Sequence, residues 1–229
     1  MTCNQLISIA NQKLYDITDI EYVPCDGYKK GNTPPADGWM PFPAGMRVNG
    51  RDAHFWFRCK LHTPPAKDGK SYYVKFTTGY EGQWDATNPQ GLVYANGEMI
   101  QGCDTNHTEV WLQPDTDYVL HNYFYVGLTD AWVPLEAALY ELDEKSEQLY
   151  YDLIVPLDTC KLLHPNTDEY IQTMSALEQT ANLLDLRDPY SDAYYASLDT
   201  ALSYIHNNFY EKTCTTKGKP VITCVGHTH

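Results

Sequence analysis

Ala53-His54-Phe55-Trp56-Phe57-Arg58-Cys59 alternates: Phe55, Phe57 and Cys59 fall on one side, His54, Trp56 and Arg58 on the other. Period-2 patterning of aromatic residues is the mark of a strand with a buried face. Tyr72–Thr77 repeats it, with Tyr72, Val74 and Phe76 sharing a side, and Thr63-Pro64-Pro65 and Lys67-Asp68-Gly69 break the chain between the two. Leu92–Tyr94 and Met99–Ile100 flank Ala95-Asn96-Gly97-Glu98, and Asn-Gly supplies the two positive φ angles of a type I′ hairpin turn. Further strands are expected at Val110–Leu112, Tyr118–Val126 and Val133–Leu142. Short strands at this spacing predict an antiparallel β-sandwich over residues 1–142, after an opening segment to about Ile20.

Beyond residue 142 the period changes to that of helices. One helix is expected over Asp143–Leu153, ending before Pro156. A second is capped by Asn166 with Glu169 three residues on, and carries Tyr170, Met174, Leu177, Ala181 and Leu184 as its apolar stripe. A third opens at Pro189-Tyr190-Ser191 and carries Tyr194, Leu198, Ala201, Ile205 and Phe209. The fold class is therefore α+β: a sandwich (1–142), a helical connector (143–216) and a terminal piece (217–229). In that last piece Val221–Val225 is an apolar run without alternation, which suits a strand covered on both faces. It reads as the first strand of a domain whose remainder lies elsewhere.

The 229 residues include 30 acids against 16 bases, a formal charge of -14, 19 Tyr, five Trp and seven Cys. Binding nucleic acid through phosphate requires a basic surface, so that partner class is disfavoured. Residues 1–125 hold 14 acids and 10 bases, residues 126–229 hold 16 and 6, so the acidity is mostly a solvated helical face. No stretch approaches the roughly 18 consecutive apolar residues of a membrane span, and the start has no basic, then apolar, signal pattern. Scattered cysteines without a CxxC pair read as reduced thiols of a cytoplasmic protein. The Asn106-His107-Thr108 sequon is then incidental.

Val221-Ile222-Thr223-Cys224-Val225-Gly226-His227-Thr228-His229 resembles the opening of the catalytic domain in α-mannosidases of glycoside hydrolase family 38. A second segment is similar to the N-terminal β-domain of the cytosolic and vacuolar members. It runs from Glu81-Gly82-Gln83-Trp84 through Asn88-Pro89-Gln90 and Tyr94-Ala95-Asn96-Gly97 to Gln101-Gly102-Cys103-Asp104-Thr105-Asn106-His107-Thr108-Glu109. Leu149-Tyr150-Tyr151-Asp152-Leu153 resembles the connection between the two, so the likeness covers most of the chain in the expected order.

The resemblance implies the N-terminal, non-catalytic portion of a retaining zinc-dependent exo-α-mannosidase. Such enzymes act on terminal α-mannosides of oligosaccharides with a nucleophile and an acid/base about 5 Å apart. His229 matches a zinc-ligand His. The partner Asp would be the second residue beyond it, and the other ligands and both catalytic carboxyls would lie downstream. Residues 1–229 alone are therefore expected to be inactive and to hold no zinc tightly. The partners implied are the chain's own catalytic α/β barrel, begun by Val221–Val225, and, for the whole enzyme, mannose-containing oligosaccharides; an apolar face awaiting a barrel also predicts self-association. A carbohydrate-binding sandwich without catalysis and an oligomerisation domain are the competing readings.

The sandwich offers one candidate sugar-facing loop, formed by Trp84, Asp104, Asn106 and His107. Asp and Asn also satisfy their own backbone in turns, and a side-chain-capped turn is the favoured reading for 104–107. Trp39, Trp56, Trp84, Trp111 and Trp132 are candidate stacking platforms for a sugar ring, with Trp84 foremost because it sits in a Gly/Asn/Pro-rich loop. Gly79-Tyr80-Glu81-Gly82 lacks the strand-to-helix setting of a phosphate loop. His164 and His206 have no partner at metal-ligand spacing and read as packing or surface residues.

Overall fold

The computed structural model describes residues 2–27, 33–83 and 88–214. They form two compact units, one made of Asn11–Glu144, the other of the residues up to Ala10 together with those from Lys145 onward. The class is α+β.

In the first unit run β1 (Asn11–Asp16), β2 (Glu21–Cys25), β3 (Met40–Pro41), β4 (Arg47–Gly50), β5 (His54–His62), β6 (Lys70–Thr77), β7 (Gln90–Ala95), β8 (Glu98–Cys103), β9 (Glu109–Leu112), β10 (Asp117–Tyr125), β11 (Ala131–Pro134) and β12 (Glu136–Asp143). A four-stranded sheet has the order β1-β12-β6-β9, a six-stranded sheet the order β3-β2-β5-β10-β7-β8, and β11 pairs with β4. Every ladder is antiparallel. The core is built from the inner faces of both large sheets: Phe55, Phe57, Cys59, Leu61, Val93, Leu120 and Phe124 from one, Val74, Phe76, Val110, Leu112, Ala137 and Leu139 from the other. Each fully buried Phe or Leu contributes about 1.5–3 kcal/mol, which makes this layer the main source of the unit's stability.

Asn96 (φ 51°) and Gly97 (φ 93°) form the expected hairpin turn between β7 and β8. The Asn96 side chain also ties the turn to β10, donating from Nδ2 to the Asp117 carbonyl (3.0 Å) and accepting from the Val119 N–H (2.8 Å). The single strand expected over Val133–Leu142 is instead two, β11 and β12, with Leu135 between them. Pro134 has no N–H to extend a ladder, so β11 stops there and the chain crosses to the other sheet. The opening segment is not featureless either. Thr2–Ala10 is a helix, and β1 forms the edge of the four-stranded sheet through pairing with β12.

The second unit holds α1 (Thr2–Ala10), α2 (Glu144–Cys160), α3 (Asp168–Asn182), α4 (Asp192–Ile205) and a π-helical turn at His206–Tyr210. Leu6, Leu149, Leu153, Leu177, Tyr194, Leu198, Ala201, Ile205 and Phe209 make its core. The stripe expected on α4 is the buried one. The α3 cap is Thr167, whose hydroxyl accepts from the Tyr170 N–H at 3.3 Å, and not Asn166. The buried face of α3 is rotated to Thr173, Ala176, Leu177 and Thr180. Thr180 tolerates burial because its hydroxyl donates to the Ala176 carbonyl at 2.8 Å.

The helix expected to stop before Pro156 runs through it to Cys160. A proline at 156 leaves the carbonyl of Asp152, four residues earlier, without its helical donor. The Tyr210 hydroxyl fills the gap, donating to that carbonyl at 2.9 Å. The terminal piece expected over 217–229 lies outside the described residues.

Candidate functional site

The loop after β8 is organised around one carboxylate. Oδ1 of Asp104 accepts from the backbone N–H of Asn106 (2.8 Å) and of His107 (2.8 Å), and lies 2.9 Å from His107 Nδ1. Partial burial raises the Asp104 pKa, but these backbone bonds and the His107 side chain together outweigh it and hold the carboxyl below its ordinary value. Asp104, Asn106 and His107 are thus brought together, with the carboxylate saturated by its own turn and the His107 side chain 75% exposed. The geometry is that of the capped turn. Trp84 and His229 lie outside the described residues.

A more structured constellation stands on the outer face of the six-stranded sheet, where the second side of the β5 alternation points. Registers across β5, β10 and β7 align His54 with Tyr125 and Gln90, and Trp56 with Tyr123 and Leu92. Trp56, Tyr94 and Tyr123 are buried there as a cluster of their own, with Val23, Trp39 and Leu92 against them. Trp56 packs edge-on to Tyr123 (5.4 Å, 65°). At one end of this layer Asp52, His54, Gln90, Gly91, Leu92, Tyr123 and Tyr125 line an open cleft of about 350 Å³.

The polar groups of the cleft form a chain. The Tyr123 hydroxyl is 2.6 Å from Nδ1 of His54. On the far side of the ring, Nε2 is 3.7 Å from Oδ1 of Asp52, too long for a direct hydrogen bond. With the Tyr123 hydroxyl as donor, the imidazole proton is assigned to Nε2, facing the carboxylate. Tyr125 stacks on His54 (4.7 Å, 23°). Desolvation first, then the charge of Asp52 and a hydrogen bond to it, raise the Tyr125 pKa, which keeps its hydroxyl protonated. Asp52 stands at φ 54°, a left-handed conformation that Asp and Asn tolerate best among residues with a side chain. Its N–H donates to the Gly127 carbonyl at 2.7 Å, which fixes the backbone that carries the carboxylate.

Farther along the same face, Arg58 lies over the Trp39 ring (4.4 Å to its centroid) and donates to Oε2 of Glu21 from Nε (2.8 Å) and Nη2 (2.6 Å). The His121 ring packs tilted against Trp39 (5.6 Å, 50°). Burial first and the Arg58 charge second lower the His121 pKa, and its buried Nδ1 has no hydrogen-bond partner among the described residues.

Nothing in the described part is arranged for zinc: among the described residues no three His, Cys, Asp or Glu side chains cluster closely enough to hold a metal ion. Burial pushes the Cys59 thiol up to about 12 and that of Cys103 up to about 11, which leaves both as unreactive packing residues. No described helix is long and apolar enough to cross a membrane.

The alternation of β5 put His54 and Trp56 on one face, but it carried no information on which residues of β10 and β7 would stand beside them. Registry between distant strands was the missing signal.

No protein-family model matches the chain. No curated protein matches it either. Among solved structures, β-glucuronidase from Ruminococcus gnavus aligns at a TM-score of 0.39 and 11% identity over 58% of this chain and 29% of its own. Faecalibacterium prausnitzii β-glucuronidase aligns at 0.39 and 12% identity over 58% and 31%. An acetyl xylan esterase from Butyrivibrio proteoclasticus aligns at 0.26 and 10% identity over 55% and 32%. The chain spans less than a third of each of these proteins, and scores this low do not establish a common fold.

Proposed function

We propose that this chain is the N-terminal, non-catalytic portion of a retaining zinc-dependent exo-α-mannosidase that acts on terminal α-mannosides of oligosaccharides. The observation that carries the reading is the ordered likeness of residues 81–109 and 221–229 to two separate parts of family 38 α-mannosidases. The Tyr94–Gly97 part of the first segment is built as a tight hairpin, and its Asp104–His107 part as a self-capped turn. A role as scaffold suits this sandwich, since a carboxylate occupied by its own loop is a poor acid or nucleophile.

Zinc in this proposal belongs to the whole enzyme. His229 supplies one ligand and the others come from residues after it. The ion's chemistry there is to hold and orient hydroxyls of the terminal mannose. A cytoplasmic setting accords with the free thiols of Cys3, Cys25, Cys59, Cys103, Cys160 and Cys214. Contacts between copies of the chain are part of the proposal, because a sandwich and helices that dock a barrel present apolar surface when alone.

The test is the coding sequence after His229 together with an assay. Ile-Asp directly following His229, and no release of nitrophenolate from 4-nitrophenyl α-D-mannopyranoside by residues 1–229, are the expected results. Turnover by pure residues 1–229, or a downstream sequence without the Asp, overturns the proposal.

A further inference from the structure

The geometry points to a second kind of site: we propose that the cleft of Asp52, His54, Gln90, Leu92, Tyr123 and Tyr125 binds a single neutral pyranose ring. The inference goes beyond the mannosidase reading and does not rest on it, since the cleft belongs to the sandwich alone.

Size comes first. At about 350 Å³ the cleft lies at the small end of the roughly 300–1,000 Å³ range of small-molecule sites, room for one ring and not for a cofactor with a nucleotide. Shape follows from the sheet. Tyr125 and Leu92 offer flat and apolar surface, and the Tyr125 ring is held in place by stacking on His54 (4.7 Å, 23°), whose other neighbour is the Tyr123 ring (5.8 Å, 22°). The C–H face of a pyranose is apolar and its rim is polar, so such a ring needs a flat apolar wall edged by hydrogen-bonding groups.

The edge has the right polarity in both directions. A sugar hydroxyl is at once donor and acceptor, and it binds best between a group that gives a proton and one that takes it. Nε2 of His54 and Oδ1 of Asp52, 3.7 Å apart, form such a pair. A hydroxyl oxygen placed between them accepts from the imidazole and donates to the carboxylate with normal distances to both. The Tyr123–His54 bond at 2.6 Å fixes the ring that presents Nε2. His54 and Tyr125 stand on neighbouring strands of one sheet, and the Asp52 backbone, in the bend before β5, is tied to the Gly127 carbonyl at 2.7 Å, so the pair is held without a large rearrangement.

Charge narrows the class. Among the described residues, Asp52 is the one carboxylate that lines the cleft and no Lys or Arg lines it, in a chain of net charge -14, so phosphates, sulfates and sugar acids are disfavoured. A quaternary ammonium would also find a carboxylate beside aromatic rings. The pairing of Nε2–H with that carboxylate favours a hydroxyl, because an ammonium gains nothing from an imidazole donor.

The experiment uses residues 1–229 labelled with nitrogen-15. Methyl α-D-mannopyranoside, methyl β-D-glucopyranoside and choline chloride are titrated separately while amide resonances are followed. At least one pyranoside is expected to move the amides of Gln90–Leu92 and Tyr123–Tyr125, and choline is not. Tyr125→Ala and Asp52→Asn each weaken that binding by about tenfold, the loss of one stacking surface or one charged acceptor worth about 1.4 kcal/mol. Asparagine keeps the left-handed backbone of position 52, so Asp52→Asn remains folded and isolates the charge. Trp132→Ala, which removes an exposed aromatic on β11 outside the cleft, binds as the unaltered chain does. The proposal is overturned if no pyranoside moves these amides in the folded protein, if choline alone moves them, or if both cleft variants bind like the unaltered chain. Binding of the mannoside without hydrolysis leaves the parent reading untouched, so the two proposals fail separately.

Discussion

The hydroxyl of Tyr123 lies 2.6 Å from Nδ1 of His54, joining β10 to β5 through side chains as well as through the ladder. Tyr123 is buried among Trp56 and Tyr94, while His54 reaches the rim of the cleft. The buried residue therefore fixes the orientation of the half-buried imidazole. Tyr123→Phe keeps the ring and deletes the donor. It is expected to lower stability by about 1 kcal/mol, the net value of one such bond, as read from urea unfolding. A variant as stable as the parent would show that the bond does not hold the imidazole.

The Tyr210 hydroxyl plays a comparable part in the helical unit, where it supplies the donor that Pro156 denies to the Asp152 carbonyl. Burial first and the Asp152 charge second push the Tyr210 pKa up to about 12, so the hydroxyl keeps its proton throughout the neutral range. Tyr210→Phe should cost about 1–3 kcal/mol, the range for leaving a partly buried carbonyl unpaired. Pro156→Ala in that background restores a helical donor and should recover most of the loss. Failure of the double variant to recover would separate Tyr210 from the proline.

At one end of the sandwich a charged network is largely withdrawn from water. Lys70 donates to Asp143 at 2.7 Å and lies 3.8 Å from Glu141; Lys67 reaches Glu141 at 2.7 Å. The side chains of Glu141 and Asp143 are 7% and 2% exposed. Removing the buried cation takes the 2.7 Å ion pair from Asp143, while Glu141 keeps Lys67 and the Tyr72 hydroxyl, so Lys70→Met is expected to cost about 3 kcal/mol in urea unfolding. Lys67, with its side chain 57% exposed, should cost less than about 1 kcal/mol when changed to Met. Equal losses would contradict the difference in burial.

His121 gives the fold a dependence on acid. Its pKa is lowered in the folded protein from the ordinary 6.5, by burial first and by Arg58 second. Above pH 6.5 both folded and unfolded chains hold it neutral and it contributes no pH dependence. As pH falls through 6.5 the unfolded chain takes up the proton first, so stability falls until the folded pKa is passed, by at most about 1.4 kcal/mol per pH unit. His121→Gln should flatten that part of the curve. The comparison is of unfolding free energies of parent and variant between about pH 7 and about pH 5, and parallel curves would refute the assignment.

Much of the sandwich was legible from alternation alone. Phe55, Phe57 and Cys59 face the core as their spacing requires, and Asn96-Gly97 makes its turn because few other dipeptides adopt two positive φ angles. What could not be read depends on partners far off in sequence. β1 is a six-residue strand of mostly polar character that exists through its pairing with β12, and α1 is too short to declare itself before its Leu6 is buried against the other helices. Pro156 looked like a helix stop because the Tyr210 hydroxyl that compensates it lies 54 residues away. The same limit hid the cleft. His54, Tyr125 and Gln90 come from three strands, whereas the residues of the turn at Asp104–His107 are adjacent in the chain.

The central claim is that these 229 residues serve a zinc α-mannosidase whose chemistry lies beyond His229. It is tested most directly by producing the protein that the coding sequence specifies past that residue and measuring zinc content and hydrolysis of 4-nitrophenyl α-D-mannopyranoside beside residues 1–229. One zinc per chain and nitrophenolate release are expected of the extended protein, and neither of residues 1–229. Hydrolysis by residues 1–229, a stop codon after His229, or an extended protein without zinc would contradict it.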